Sequence, residues 1–234
     1  MKKKVLISLL LLVSLISFTG CFDNKKENKV ALAFKNDYEE LNGKTNKSGK
    51  EHRTISISED NRFVEITMEE LMKKIDSGDS FYVYFGSRLC PWCRSVIEMA
   101  DKVSRENDIE KVYYIDIWDD EGNELIRDKY TIDENNKLVL EKEGTEEYKK
   151  LLELFGSLLR DYTLTDNNGD EVAVGEKRIY APNYFYINKG KAVRMITGKS
   201  DTQKDAREEL TEEMLKDEEE KFDKFFINAC DETC

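Results

Sequence analysis

The fold turns on Phe85–Glu98, FGSRLCPWCRSVIE, where Cys90 and Cys93 bracket a proline and a tryptophan just after an apolar run. Upstream, SFYVYFGS (Ser80–Ser87) is an unbroken aromatic and β-branched run, the pattern of a strand buried on both faces. Downstream, Val96, Ile97, Ala100 and Val103 recur at helical spacing, and KVYYIDIWD (Lys111–Asp119) supplies another buried strand. Strand, helix and strand in this order predict a right-handed parallel crossover. Cys90 then falls at the carboxyl end of a central strand and the start of a helix. Pro91 suits the first helical position, where its missing N–H is not needed.

Cys-x-x-Cys serves several chemistries. Covalent haem attachment needs histidine next, and the position holds Arg94, so that use fails. A structural zinc site would need two further ligands, which Cys230 and Cys234 could supply and the lone His52 could not complete alone. A passive disulfide across two residues would constrain little of the unfolded chain. A redox pair accounts for more of the pattern. A thiol at a helix N-terminus sees unpaired N–H groups and the positive end of the dipole, which favour thiolate over the free value of about 8.5. Cys90 is then the attacking nucleophile and Cys93, one turn further in, the resolving thiol.

Arg62–Ile66 suits a first strand, and Thr67 with Glu70 has capping-box spacing ahead of apolar Met68, Leu71, Met72 and Ile75. From about 120 to 176 the pattern changes to a charged insertion containing one amphipathic helix, Thr145–Tyr162. APNYFYINKGKAVRMITG (Ala181–Gly198) then gives a loop ending at Pro182 and a hairpin of Asn183–Ile187 and Ala192–Thr197 around Asn188–Gly190. From 201 to 234 a charged C-terminal helix is expected, with Leu210, Met214, Leu215, Phe222, Phe225 and Phe226 on its buried face.

The chain opens MKKKVLISLLLLVSLISFTGC, a basic start, a short apolar run and small residues before Cys21. That predicts a secretory leader over 1–20, and FTGC resembles the bacterial lipobox, in which the cysteine is lipidated. Acyl chains at about 0.8 kcal/mol per buried methylene would hold the chain at a membrane surface. Cleavage would remove Lys2, Lys3 and Lys4 and take the formal net charge from −12 to −15. So acidic a body does not seek nucleic acid by charge. The expected organisation is a leader at 1–20, a lipidated polar tether at 21–50 and one domain at 51–234. With Cys21 assigned to lipid, the other four cysteines form two close pairs. Cys230 and Cys234 read as a C-terminal disulfide staple or as a second exchange pair for Cys90 and Cys93.

On YVYFGSRLCPWCRSVIEMADKV and the distant Pro182, the chain resembles the thioredoxin superfamily, nearest to thioredoxin-like proteins of the bacteriocin-transport accessory type in Gram-positive bacteria. The resemblance covers about 62–118 and 178–198. It implies an α/β three-layer sandwich, a central mixed sheet with helices on both faces. It also implies a redox-active Cys90–Cys93 disulfide, a cis Pro182 facing that pair, and substrate contacts at Ala181, Pro182, Pro91 and Trp92. The implied activity is thiol-disulfide exchange with exported proteins, without metal or organic cofactor, and a membrane redox partner is the implied source or sink of electrons. An accessory or binding lipoprotein with a non-exchanging disulfide is the other function open at this point. The chain departs from the family at Tyr84, where thioredoxins carry a buried acid, at Leu89, where they carry tryptophan, and in the long insertion. Trp92 stands where periplasmic oxidases usually have histidine. The direction of electron flow is left open.

Overall fold

The computed structural model describes residues 20–227, with side chains from Lys29 to Phe226. The expected leader, the Cys21 thiol and the Cys230–Cys234 pair lie outside the described residues. In chain order the elements are α1 (Gly20–Glu39), β1 (Phe63–Glu65), α2 (Met68–Asp76), β2 (Phe81–Gly86), α3 (Pro91–Glu106) and β3 (Val112–Asp116). The segment between β3 and the hairpin holds β4 (Lys129–Ile132), β5 (Leu138–Lys142), α4 (Glu146–Phe155), β6 (Arg160–Thr165) and β7 (Glu171–Arg178). The chain continues through β8 (Asn183–Asn188) and β9 (Lys191–Ile196) to α5 (Glu212–Ile227).

Five strands form a mixed sheet in the order β1-β3-β2-β8-β9. β1, β3 and β2 run parallel, and β8 lies antiparallel to β2 with β9 antiparallel to β8. All six residues of β2 are buried, as its unbroken apolar run predicts. Because alternate side chains leave opposite faces of a strand, the sheet separates two cores. Tyr82, Tyr84, Tyr114, Tyr184 and Tyr186 pack with Phe34 and Tyr38 of α1, Val96, Ile97 and Ala100 of α3, and Phe222, Phe225 and Phe226 of α5. Val83, Phe85, Ile115, Phe185 and Ile187 pack with Leu71 and Ile75 of α2 and Tyr148, Leu151 and Phe155 of α4. Helices thus cover both faces of the sheet. The first core is unusually rich in tyrosine: the Tyr84 ring stacks on Tyr184 at 4.4 Å and on Tyr114 at 5.4 Å. Such pairs add roughly 0.5–1.5 kcal/mol each beyond area burial.

The structure differs from the sequence reading in four places. The polar stretch expected as a tether is largely α1, whose Ala31, Phe34 and Tyr38 form a buried stripe at helical spacing, with Leu41 buried in the turn that follows. Asn42 fastens the following loop by accepting from Ile55 N–H at 3.1 Å and donating to the Ile55 carbonyl at 2.8 Å. The helix expected to reach Tyr162 ends at Phe155, because Gly156 opens a 3-10 turn and Arg160–Thr165 pairs with β7. The helix expected from 201 begins only at Glu212, where Thr211 Oγ1 accepts from Met214 N–H at 3.2 Å. Residues 200–211 are irregular turns whose backbone amides bond to side chains such as Asp205 and Glu208. On α5 Leu215 is exposed, and Glu218 takes a fully buried place instead.

The expected capping box is present: Thr67 Oγ1 accepts from Glu70 N–H and Glu70 accepts from Thr67 N–H. The β8–β9 turn also forms as read, with Lys189 and Gly190 at φ 49° and 74°. A side chain at Gly190 would stand 2.4 Å from the Ile75 carbonyl, so glycine there lets the hairpin close onto α2.

Candidate active site

The carboxyl end of β2 leads through Ser87–Leu89 into α3, with Cys90 as N-cap and Pro91 as first helical residue. The turn is held by Cys90 N–H donating to the Ser87 carbonyl at 3.1 Å. Cys90 Sγ accepts from Cys93 N–H at 3.3 Å, so the sulfur satisfies one of the orphan amides of the helix start. The pair stands as two free thiols, and both are buried, Cys93 completely. Across from them, the Ala181–Pro182 peptide bond is cis, and Cys90 Sγ donates to the Ala181 carbonyl at 3.6 Å. Cys90, Cys93, Ala181 and Pro182, which lie 88 or more residues apart between the two pairs in sequence, are therefore brought to one place. Trp92, expected as a substrate contact, is half-buried against the tyrosine core with the Lys199 ammonium 5.2 Å above its ring.

The two sulfurs are driven apart in acidity. The Cys93 thiol's hydrogen bond pulls Cys90 below the ordinary thiol value, helped by the backbone N–H groups of Cys93 and Trp92 and by the Arg127 charge, against the effect of burial. Burial pushes Cys93 well up, and the neighbouring Cys90 pushes it further. Opposing that rise, the Tyr84 hydroxyl hydrogen-bonds the Cys93 sulfur. Tyr84 is fully buried and its hydroxyl lies 2.9 Å from that of Tyr38 on α1. Gly86 makes room for this ring, since a Cβ there would stand 2.1 Å from Tyr84 Cζ and Oη. The arrangement can present a reactive outer thiolate, hold the second thiol protonated beneath it, and offer that thiol a hydroxyl donor when it ionises.

Arg94, whose identity excluded haem, has a structural task. Its buried guanidinium donates to the Tyr38 carbonyl at 2.7 Å, the Arg53 carbonyl at 2.6 Å and Asn42 Oδ1 at 2.8 Å. It thereby ties α1 and the 42–53 loop to the active-site helix. Tyr38, Tyr184 and Arg127 act on the two thiols without having been singled out by the sequence. Tyr38 had a signal in the i, i+3, i+7 stripe of α1; the others lie in runs of mixed charge or in a strand read for core alone.

Compared with known proteins, the chain matches no family model, and no curated protein matches its sequence significantly.

Proposed function

We propose that the protein is a thiol-disulfide oxidoreductase of thioredoxin-like fold that exchanges disulfides with exported proteins, anchored by lipid on Cys21 at the outer face of the cytoplasmic membrane. The observation that carries the reading is the approach of Cys90 Sγ to the Ala181 carbonyl beside Pro182, at a helix start that favours its thiolate. The sheet order and the position of the pair after β2 support the fold. The basic, apolar and FTGC segments support export and lipidation.

In the reducing direction the Cys90 thiolate attacks one sulfur of a substrate disulfide. That S–S bond breaks, a Cys90 mixed disulfide forms, and the first substrate sulfur leaves as a thiolate that takes up a proton. Cys93 then loses its proton and attacks Cys90 Sγ, and the second substrate sulfur leaves. The pair ends oxidised by two electrons and the substrate reduced by two; the reverse sequence donates a disulfide. The cysteines carry the electrons themselves, so the step requires no metal or organic cofactor.

The test is trapping. The full chain bearing Cys93→Ala, incubated with insulin, should accumulate an adduct linked through Cys90 and reversed by dithiothreitol. The same chain with Cys90→Ala should give none. Absence of the Cys90 adduct would overturn the proposal.

A further inference from the structure

The long segment between β3 and β8 reaches the redox pair through a buried ion cluster. Glu124 Oε1 accepts from Arg127 Nη2 at 2.7 Å, Arg178 Nη2 at 2.9 Å and Trp118 Nε1 at 3.1 Å, while Oε2 accepts from Arg127 Nε at 2.7 Å. Arg127 and Arg178 are both buried, and so is Glu124. Asp128, also buried, accepts from Arg178 Nη1 through its carbonyl at 2.6 Å and brings a second carboxylate, so two guanidinium groups meet two carboxylates at this point of the interior. A buried charge costs several kcal/mol of desolvation, and breaking even with an apolar cluster is the usual outcome. The cluster's connections show a different use. Arg127 Nη1 donates to the Ile179 carbonyl at 3.1 Å, and the Tyr148 hydroxyl of α4 accepts from Ile179 N–H at 3.2 Å. Ile179 is two residues before Ala181, whose carbonyl carries the Cys90 sulfur.

We infer that Arg127, clamped by Glu124, is a positioning residue of the redox site: it fixes the 179–182 loop against Cys90 and keeps a positive charge close to the sulfur that must become a thiolate. The inference rests on the exchange reading given above. It gives the insertion a part in that chemistry. Arg127 faces Glu124 from its own segment, Arg178 from β7 and the Trp118 ring at 5.7 Å. Lys142 of β5 donates to the Glu124 carbonyl, and the Asp128 carboxylate is taken by Gly144 N–H at 2.7 Å. Cys90 itself faces Cys93 and Tyr184. The charge of Arg127 adds to the Cys93 hydrogen bond and the backbone N–H groups in favouring the ionised Cys90 sulfur.

The sign of the effect separates this from a merely structural cluster. The pH dependence of iodoacetamide alkylation at Cys90 would be followed by mass mapping in the full chain and in Arg127→Gln, Arg127→Lys and Glu124→Gln variants. Arg127→Gln should raise the Cys90 pKa by about 1, the low end of what an opposite charge exerts. Glu124→Gln, nearly the same shape, should lower it, and Arg127→Lys should restore most of the wild-type value. A structural role alone would move Arg127→Gln and Glu124→Gln in the same direction or neither. Should Arg127→Gln not fold, Glu124→Gln decides: an unchanged or raised Cys90 pKa overturns the inference. A wild-type Cys90 titrating at or above the free thiol value of about 8.5 would instead strike at the exchange reading itself.

Discussion

Tyr84→Phe isolates one hydroxyl beneath the redox pair. The ring is fully buried and stacked on Tyr184 at 4.4 Å, and phenylalanine keeps that stack, so packing changes little. Two interactions are lost. Tyr38 Oη loses its partner at 2.9 Å, an unsatisfied buried group costing about 1–3 kcal/mol of stability. The Cys93 sulfur loses a donor that acts most strongly when it is charged. Hydrogen bonds to charged groups contribute about 1.5–3 kcal/mol, so ionising Cys93 becomes harder by about one to two powers of ten. Because Cys93 must ionise to resolve the mixed disulfide, that step should slow by about 10- to 100-fold near neutral pH. The first step, attack by Cys90, should change by less than about threefold, since its thiolate is held chiefly by Cys93 and by backbone N–H groups. Single-turnover reduction of glutathione disulfide, followed by tryptophan fluorescence over a range of disulfide concentrations, separates the second-order attack from the first-order resolution. Unchanged resolution in a folded Tyr84→Phe protein would refute the assignment of the hydroxyl to Cys93.

Glu218 predicts a pH-dependent stability. Burial pushes its carboxyl up to about 8, so the folded state prefers it protonated. Relative to a glutamate titrating near its ordinary value of 4.5, stability is greatest below that value and falls until pH passes about 8. Glu218→Gln should therefore be more stable than wild type at pH 8.5, on the order of 4 kcal/mol, and nearly equal to it at pH 4; urea unfolding at the two pH values checks this. Phe34→Ala should cost about 3–5 kcal/mol by the same measurement, because the ring is buried between Phe63 and Tyr38; a residue in a loose tether would change stability by less than about 0.5 kcal/mol. Gly86→Ala should reproduce the slow resolution of Tyr84→Phe, since the added methyl displaces the Tyr84 ring.

The central strands were legible because β2 and β3 carry unbroken apolar runs, and the start of α3 because proline follows a thiol at a strand end. Pro182 was placed opposite the pair by the family resemblance, with the Asn-Lys-Gly hairpin signal marking the strands that follow it. α1 was hidden because Lys, Asn and Glu outweigh Ala31, Phe34 and Tyr38 of its stripe in composition. β6 was hidden because Leu158, Leu159 and Tyr162 continue the helical spacing of α4, and only pairing with β7 turns that stretch into strand. The electrostatics of the site were the least legible. Tyr38 and Tyr84 meet across 46 residues of sequence, and Arg127 reaches the Ile179 carbonyl across 52. Neither distance leaves a local pattern. Tyr84 was visible only as a departure from an expected acid, and its hydroxyl contact with Cys93 supplies the physical content of that departure.

The most direct test of the account is the equilibrium of the Cys90–Cys93 pair with a glutathione redox buffer in the full chain, combined with its rate of insulin reduction. An exchanging pair with a favoured Cys90 thiolate should show a potential between about −120 and −270 mV and catalyse insulin reduction. A potential below about −300 mV with no catalysis would mark a structural disulfide and contradict the account.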